Sequence, residues 1–290
     1  MRIKIITDST SNLTPELAVK YEIDIIPANV VIDEEEILDD GTIDPHEYYD
    51  KIDKSVRSYT SVPSQKIIWE VIERNKEYDY LLIINVSEKL SGFFSASTTV
   101  AKKYKKQNPN SPEIKIYDSK GVSLVLGAIA IKAAQLVREG LPIKDLLQKL
   151  DEFRNNDVHV LLTVSNLKKL YEGGRISRLR YLLADLLHAY PIFSLVDGEL
   201  GLVDKEVGFE RTIKKIANLL RDIYEDDEEI FVWRANTKPR EKQKMFNRII
   251  EEIKTPKIKR IEEFYVGFII TCHTGIEVYG IITIRNFDLN

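Results

Sequence analysis

Small hydroxyl side chains collect at four places in this chain, three of them where an apolar run meets polar sequence and one just ahead of a helical pattern. "TDSTSN" closes the run 2–7 with Thr7, Asp8, Ser9, Thr10 and Ser11, and "SYTSVPS" (58–64) leads into a helical pattern. "SEKLSGFF" (87–94) follows "YDYLLIINV", and "YDSK" (117–120) closes the run 114–117. In a parallel α/β sheet such points lie beyond the carboxyl ends of the strands, where helix N-termini converge. Hydroxyl donors, exposed backbone N–H groups and a helix dipole together make an anion site suited to a carboxylate or a phosphate. The same residue types are the favoured helix N-caps, so Asp8, Ser11 and Ser119 also read as caps.

Ser91 invites comparison with a nucleophile. The nucleophile elbow G-x-S-x-G is absent, because Lys89 and Phe93 stand two positions before and after it. A nucleophilic serine also needs a base. The histidines are His46, His159, His188 and His273, and only His273, in "TCHTG", sits beside a glycine turn. Chain order allows a Ser91–His273–Asp8 triad. A serine hydrolase or small-anion transferase using Ser91 and His273 is therefore the enzymatic alternative. No H-E-x-x-H, paired cysteine, D-x-D-x-D-G or phosphate-binding glycine loop occurs, so neither a metal nor a nucleotide cofactor is expected. "YEGGRIS" reads first as a helix C-cap, with Arg175 beyond it suited to an anion or a partner. The acidic "VIDEEEILDDG" reads as a solvated loop.

Alternating strands and helices position these groups. "RIKIITD", "DIIPANVVID", "YDYLLIINV" and "EIKIYDS" read as strands. Between and after them "TPELAVKY", "DPHEYYDKI", "PSQKIIWEVIERN", "SGFFSASTTVAKKYKKQ", "LVLGAIAIKAAQLVREG" and "PIKDLLQKLDEFRNN" read as helices. This rhythm predicts right-handed βαβ units and a parallel sheet over 1–156. Residues 157–290 read as α+β with mixed or antiparallel pairing: a strand "DVHVLLTV", a short helix ending in two glycines, a hairpin turning at Asp197-Gly198, helices near 209–224 and 238–254, and a closing strand "YGIITIRN". The fold class is α/β, in two domains.

The chain has 290 residues, 43% hydrophobic and 30% charged, which suits a globular protein with two cores. A net charge of -4 argues against non-specific binding to nucleic acid or anionic membranes. Interspersed Lys and Glu, as in "EEIKTPKIKRIEE", read as solvated surface. The single cysteine, Cys272, excludes an internal disulfide and reads as a buried thiol. The opening "MRIKIITDST" is already strand-like, and the apolar runs fall short of the roughly 20 residues of a membrane helix, so a cytoplasmic location without stable membrane insertion is expected.

Six segments in order, "DSTS" (8–11), "TSVPS" (60–64), "LSGFFSAS" (90–97), "YDSK" (117–120), "LKKLYEGGRIS" (167–177) and "CHTG" (272–275), resemble the DegV family of bacterial fatty-acid-binding proteins. The resemblance runs from residue 3 to about 284. It implies two α/β domains with a lipid site between them, the acyl chain in an apolar tunnel and the carboxylate held by hydroxyls. By position, the family's carboxylate-binding residues fall on Thr60, Ser91 and His273, with Ser61 and Gly92 beside them and Arg175 near the head group and the partner surface. The implied ligand is a long-chain fatty acid such as palmitate, stearate or oleate. The implied partner is a separate fatty acid kinase, with no catalysis by this chain and a place in phospholipid metabolism. The tunnel walls are expected from "LVLGAIAIKAAQLV" (Leu124, Ala128, Ile131), "LLADLLHAYPIF" and "FIITC". The sequence departs from the family pattern at Val62, at Glu88, Lys89, Phe93 and Phe94, and after Gly275, where "HTGIEVYG" lacks the usual Pro-Gly pair. A regulatory interaction module that has lost its lipid is the alternative that these departures leave open.

Overall fold

The β-branched run after Arg2 becomes strand β1 (Ile3–Asp8) in a computed structural model of the protein, which describes residues 1–41, 44–165, 167–176, 189–224, 228–237, 241–253 and 257–289. Thr14 caps helix α1 (Pro15–Lys20): its Oγ1 accepts the Leu17 N–H at 3.3 Å, with Pro15 at the first helical position. "DIIPANVVID", expected as one strand, is two. β2 (Asp24–Ile26) pairs parallel with β1, whereas β3 (Ala28–Ile32) pairs antiparallel with β4 (Glu35–Asp39). Pro27 stands at the break, where its missing N–H interrupts any continuous ladder and the chain passes from one sheet to another.

After helix α2 (Pro45–Lys54), strand β5 (Ser58–Ser61) completes a three-stranded antiparallel sheet of order β4-β3-β5. There follow α3 (Gln65–Arg74), β6 (Tyr80–Asn85), α4 (Phe93–Gln107), β7 (Glu113–Asp118), α5 (Leu124–Arg138) and α6 (Ile143–Asn156). The four-stranded sheet has order β2-β1-β6-β7 and is parallel throughout. The chain leaves β1 towards β2 and returns as β6 on the other side, so the strand order reverses between β1 and β6. Ligands of open parallel sheets bind at such switch points. The apolar α5 packs on β1 and β6 and on the 3-10 turn Ser9–Ser11, burying Leu124, Ala128 and Ile131.

The later elements are β8 (Val158–Val164), α7 (Leu167–Glu172), β9 (Tyr190–Val196), β10 (Glu199–Glu206), α8 (Phe209–Ile223), β11 (Glu229–Asn236), α9 (Glu241–Glu251), β12 (Lys257–Tyr265), α10 (Phe268–Thr274) and β13 (Val278–Ile284). They form a six-stranded sheet of order β10-β9-β8-β13-β11-β12, in which β11–β12 is parallel and the β8–β9, β8–β13 and β11–β13 pairs are antiparallel. Asp197 (φ 49°) and Gly198 (φ 81°) both take left-handed backbone at the β9–β10 turn, which suits the right-handed twist of the flanking strands. Ile213, Ile216 and Leu220 of α8 pack with Val232, Phe246, Tyr279 and Ile281 in the core of this sheet.

Two units result. One comprises 1–44, 55–154 and 197–199, and the other 45–54, 155–196 and 200–290. Helix α2 thus belongs with the second unit although segments of the first unit, β4 and β5, flank it in sequence. Its Tyr49 hydroxyl donates to the Val266 carbonyl at 2.7 Å, and Tyr48 stacks on Phe268 at 5.3 Å. The fold is α/β, with a parallel sheet in the first unit and a mixed sheet in the second.

Candidate functional site

In the first unit, the hydroxyl segments sit on strand ends and the loops that follow them. Thr60 lies on β5 opposite Val30, half-buried, with Ser61 exposed beside it. Ser91 lies half-buried on the loop between β6 and α4; its N–H donates to the Ser87 carbonyl at 3.1 Å and its Oγ accepts the Phe93 N–H at 3.4 Å. Gly92 is the N-cap of α4 and supplies no side chain to cap it. A Cβ on Gly92 would lie 3.3 Å from Cγ2 of Val62, so "TSVPS" and "LSG" approach each other closely here. Ser64 of the same segment caps α3 through the Ile67 N–H at 3.4 Å.

The switch point itself is filled by Asp8. This fully buried carboxylate accepts the Thr10 N–H at 3.1 Å and the Thr10 hydroxyl, the Asn85 side-chain amide at 3.1 Å and the Val86 N–H at 2.8 Å. It ties the end of β1 to the end of β6, and burial pushes its pKa up. Its oxygens are thus committed to backbone, amide and hydroxyl donors of its own unit. Lys89, one of the departures from the family pattern, lies 2.8 Å from Asp197 and 3.6 Å from Glu199, and Asp197 also pairs with Lys120 at 2.5 Å. These two lysines hold the Asp197 carboxyl down at about 2.

In the second unit, Arg175 and His273 are neighbours. Helix α7 ends in two glycines used for different reasons. Gly174 takes φ 74°, the left-handed residue after a helix end, as the C-cap reading requires. Gly173 instead leaves room for a ring: a Cβ there would lie 2.8 Å from Nδ1 of His273. Arg175 turns back to donate to the Gly173 carbonyl. Burial, with the Arg175 guanidinium close by, pushes the His273 imidazole down to about 4, and burial also lowers the Arg175 pKa. At neutral pH the pair is therefore a neutral ring N–H donor beside a permanent cation, an arrangement suited to an anionic oxygen.

Elsewhere the expected residues fall as follows. His46 sits edge-on to Tyr49 and Tyr265, and His159 is paired across the sheet with Thr283. His188, Ser177 and most of "LLADLLHAYPIF" lie outside the described residues. Cys272 is buried, as are Phe268 and Ile269 beside it. No group of three or more His, Cys, Asp or Glu is placed to hold a metal ion among the described residues, and no helix among them is long and apolar enough to cross a membrane. Two features escaped the sequence reading: the ring-accommodating role of Gly173, and the buried Asp39 in what read as a solvated acidic loop.

A family model described as "Uncharacterised protein, DegV family" matches residues 2–286. A DegV domain-containing protein of Clostridium perfringens is 28% identical over 284 residues, covering 97% of each chain. Among solved structures, a Thermus thermophilus DegV family protein described by its fatty acid binding superposes with a TM-score of 0.88 at 24% identity, covering 98% of this chain and 100% of that one. DegV of Bacillus subtilis, described as a fatty acid binding protein, superposes with a TM-score of 0.85 at 26% identity, covering 99% and 100%. The chain belongs to the DegV family.

Proposed function

We propose that this protein binds a long-chain fatty acid such as palmitate, stearate or oleate. The Thr60 and Ser91 hydroxyls, with Ser61 and Gly92 beside them, take the carboxylate, and His273 and Arg175 also serve the head group. The apolar faces of α5 and α10 contribute to an acyl tunnel. Each buried methylene contributes about 0.8 kcal/mol, so a long chain gains on the order of 10 kcal/mol before the costs of ordering and desolvation. The tail supplies the affinity, and the head needs only enough donors to avoid a buried, unpaired carboxylate. The observation that most favours this reading is, in the second unit, the neutral His273 ring beside Arg175; in the first unit, taken by itself, "TSVPS" and "LSG" come close together. Uncharged donors leave a carboxylate oxygen reachable, and Arg175 already donates to its own loop. That fits delivery to a separate kinase, which would transfer the γ-phosphoryl group of ATP to that oxygen. This chain binds and presents without catalysing. The commitment of Asp8 to Thr10, Asn85 and Val86 weighs against its orienting a histidine for Ser91.

Protein purified from a bacterial host is expected to yield a stoichiometric C16–C18 fatty acid to mass spectrometry after solvent extraction. An empty protein that also fails to take up oleate would overturn the reading.

A further inference from the structure

The geometry assigns Gly173 as the positioning residue for His273, its missing side chain fixing where the imidazole stands relative to Arg175. The assignment rests on the head-group reading above for its functional meaning, but its geometry belongs to the second unit alone. A Cβ at Gly173 would lie 2.8 Å from His273 Nδ1, 3.6 Å from its Cγ and 3.2 Å from the Lys169 carbonyl oxygen. Contacts below 3 Å do not persist, so either a helix retreats or the ring turns.

Neither helix is free to retreat, because both are tied to α2. From α7, Lys169 Nζ donates to the Ile52 carbonyl at 3.0 Å, near the α2 C-terminus, where a cation also suits the helix dipole. Next to α10, the Val266 carbonyl accepts the Tyr49 hydroxyl at 2.7 Å, and Phe268 at the helix start stacks on Tyr48. The backbone of Gly173 is held as well: its N–H donates to Lys169 at 2.9 Å and its carbonyl accepts from Arg175. The soft coordinate is the His273 side chain. Any residue larger than glycine at 173 turns the ring away from the guanidinium.

The test uses the full-length protein. His273→Gln identifies the His273 C2–H resonance, whose expected midpoint in the parent protein is about 4, held down by burial and then by Arg175. In Gly173→Ala that midpoint moves up, because the turned ring loses part of its burial and leaves Arg175, and oleate affinity falls roughly tenfold, the scale of one charge-assisted hydrogen bond. In a His273→Ala background, Gly173→Ala changes oleate affinity by less than twofold. An unmoved midpoint, or an equal loss of affinity in both backgrounds, overturns the assignment. If Gly173→Ala alone does not fold, the double variant Gly173→Ala/His273→Ser, which removes the ring, folds like His273→Ser; its failure to do so also overturns the assignment. A moved midpoint with oleate affinity indifferent to both Gly173→Ala and His273→Ala leaves the positioning standing and removes His273 from the head-group site.

Discussion

Asp39 shows how a residue's chemistry depends on where it is buried. It ends β4, opposite Ala28, with Ser9 donating to its carboxylate and Asp8 and Asp40 nearby. Burial above all, then the two like charges, pushes its pKa up to about 7, from 3.8 in the unfolded chain. Because the folded form binds the proton more tightly, its stability is greatest below pH 3.8 and is lost as pH rises to 7. At 1.36 kcal/mol per unit the penalty above pH 7 is on the order of 4 kcal/mol. Asp39→Asn is therefore expected to raise the urea midpoint at pH 8 and leave it nearly unchanged at pH 4; equal midpoints at pH 8 would show that Asp39 is ionised in the fold without penalty. "DDG" looked solvated because a charge in a turn usually is. The motif residues Thr60, Ser91 and His273 were legible as residue types, but the neutrality of His273 depends on burial and on Arg175.

At the scale of elements, the fit of α5 against the turn after β1 depends on Gly127. A Cβ there would lie 2.7 Å from the backbone oxygen of Ser11 and 3.3 Å from Leu13. Alanine is about 1 kcal/mol better than glycine in a helix, but a clash with fixed backbone outweighs that. Gly127→Ala should lower stability by about 1–3 kcal/mol in urea unfolding, and a gain would mean that α5 can shift outward freely. Most strands and helices were legible from period and caps. β4, β5, β11, β12 and α10 were not. β11 carries Arg234 inside the fold, where Glu251 and Glu263 neutralise it, and a mid-strand arginine masks the apolar signal. β12 is an edge strand whose lysines, arginine and glutamates read as solvated surface, the usual protection of an edge.

For the molecule as a whole, a ligand that binds only the folded state raises its stability by RT ln(1 + [L]/Kd), about 2.7 kcal/mol at a hundredfold excess over Kd. Oleate should thus raise Tm by roughly 5 °C or more. Thr60→Ala with Ser91→Ala should at least halve that shift while the ligand-free Tm stays within about 2 °C. An undiminished shift would place the head group elsewhere. By itself the sequence determined what neighbours along the chain can settle: the alternation of strands and helices, the Thr14 cap, the Asp197-Gly198 turn and the order of the family segments. Each depends on dihedral preference or periodicity within a few residues. Only the tertiary structure decided that Asp8 joins the ends of β1 and β6, that α2 packs with α10, and that Gly173 stands against His273, a hundred positions along the chain. Those contacts close long loops. Many pairings compete to close them, and the choice falls to the combined burial and hydrogen bonding of elements that no short stretch of sequence contains.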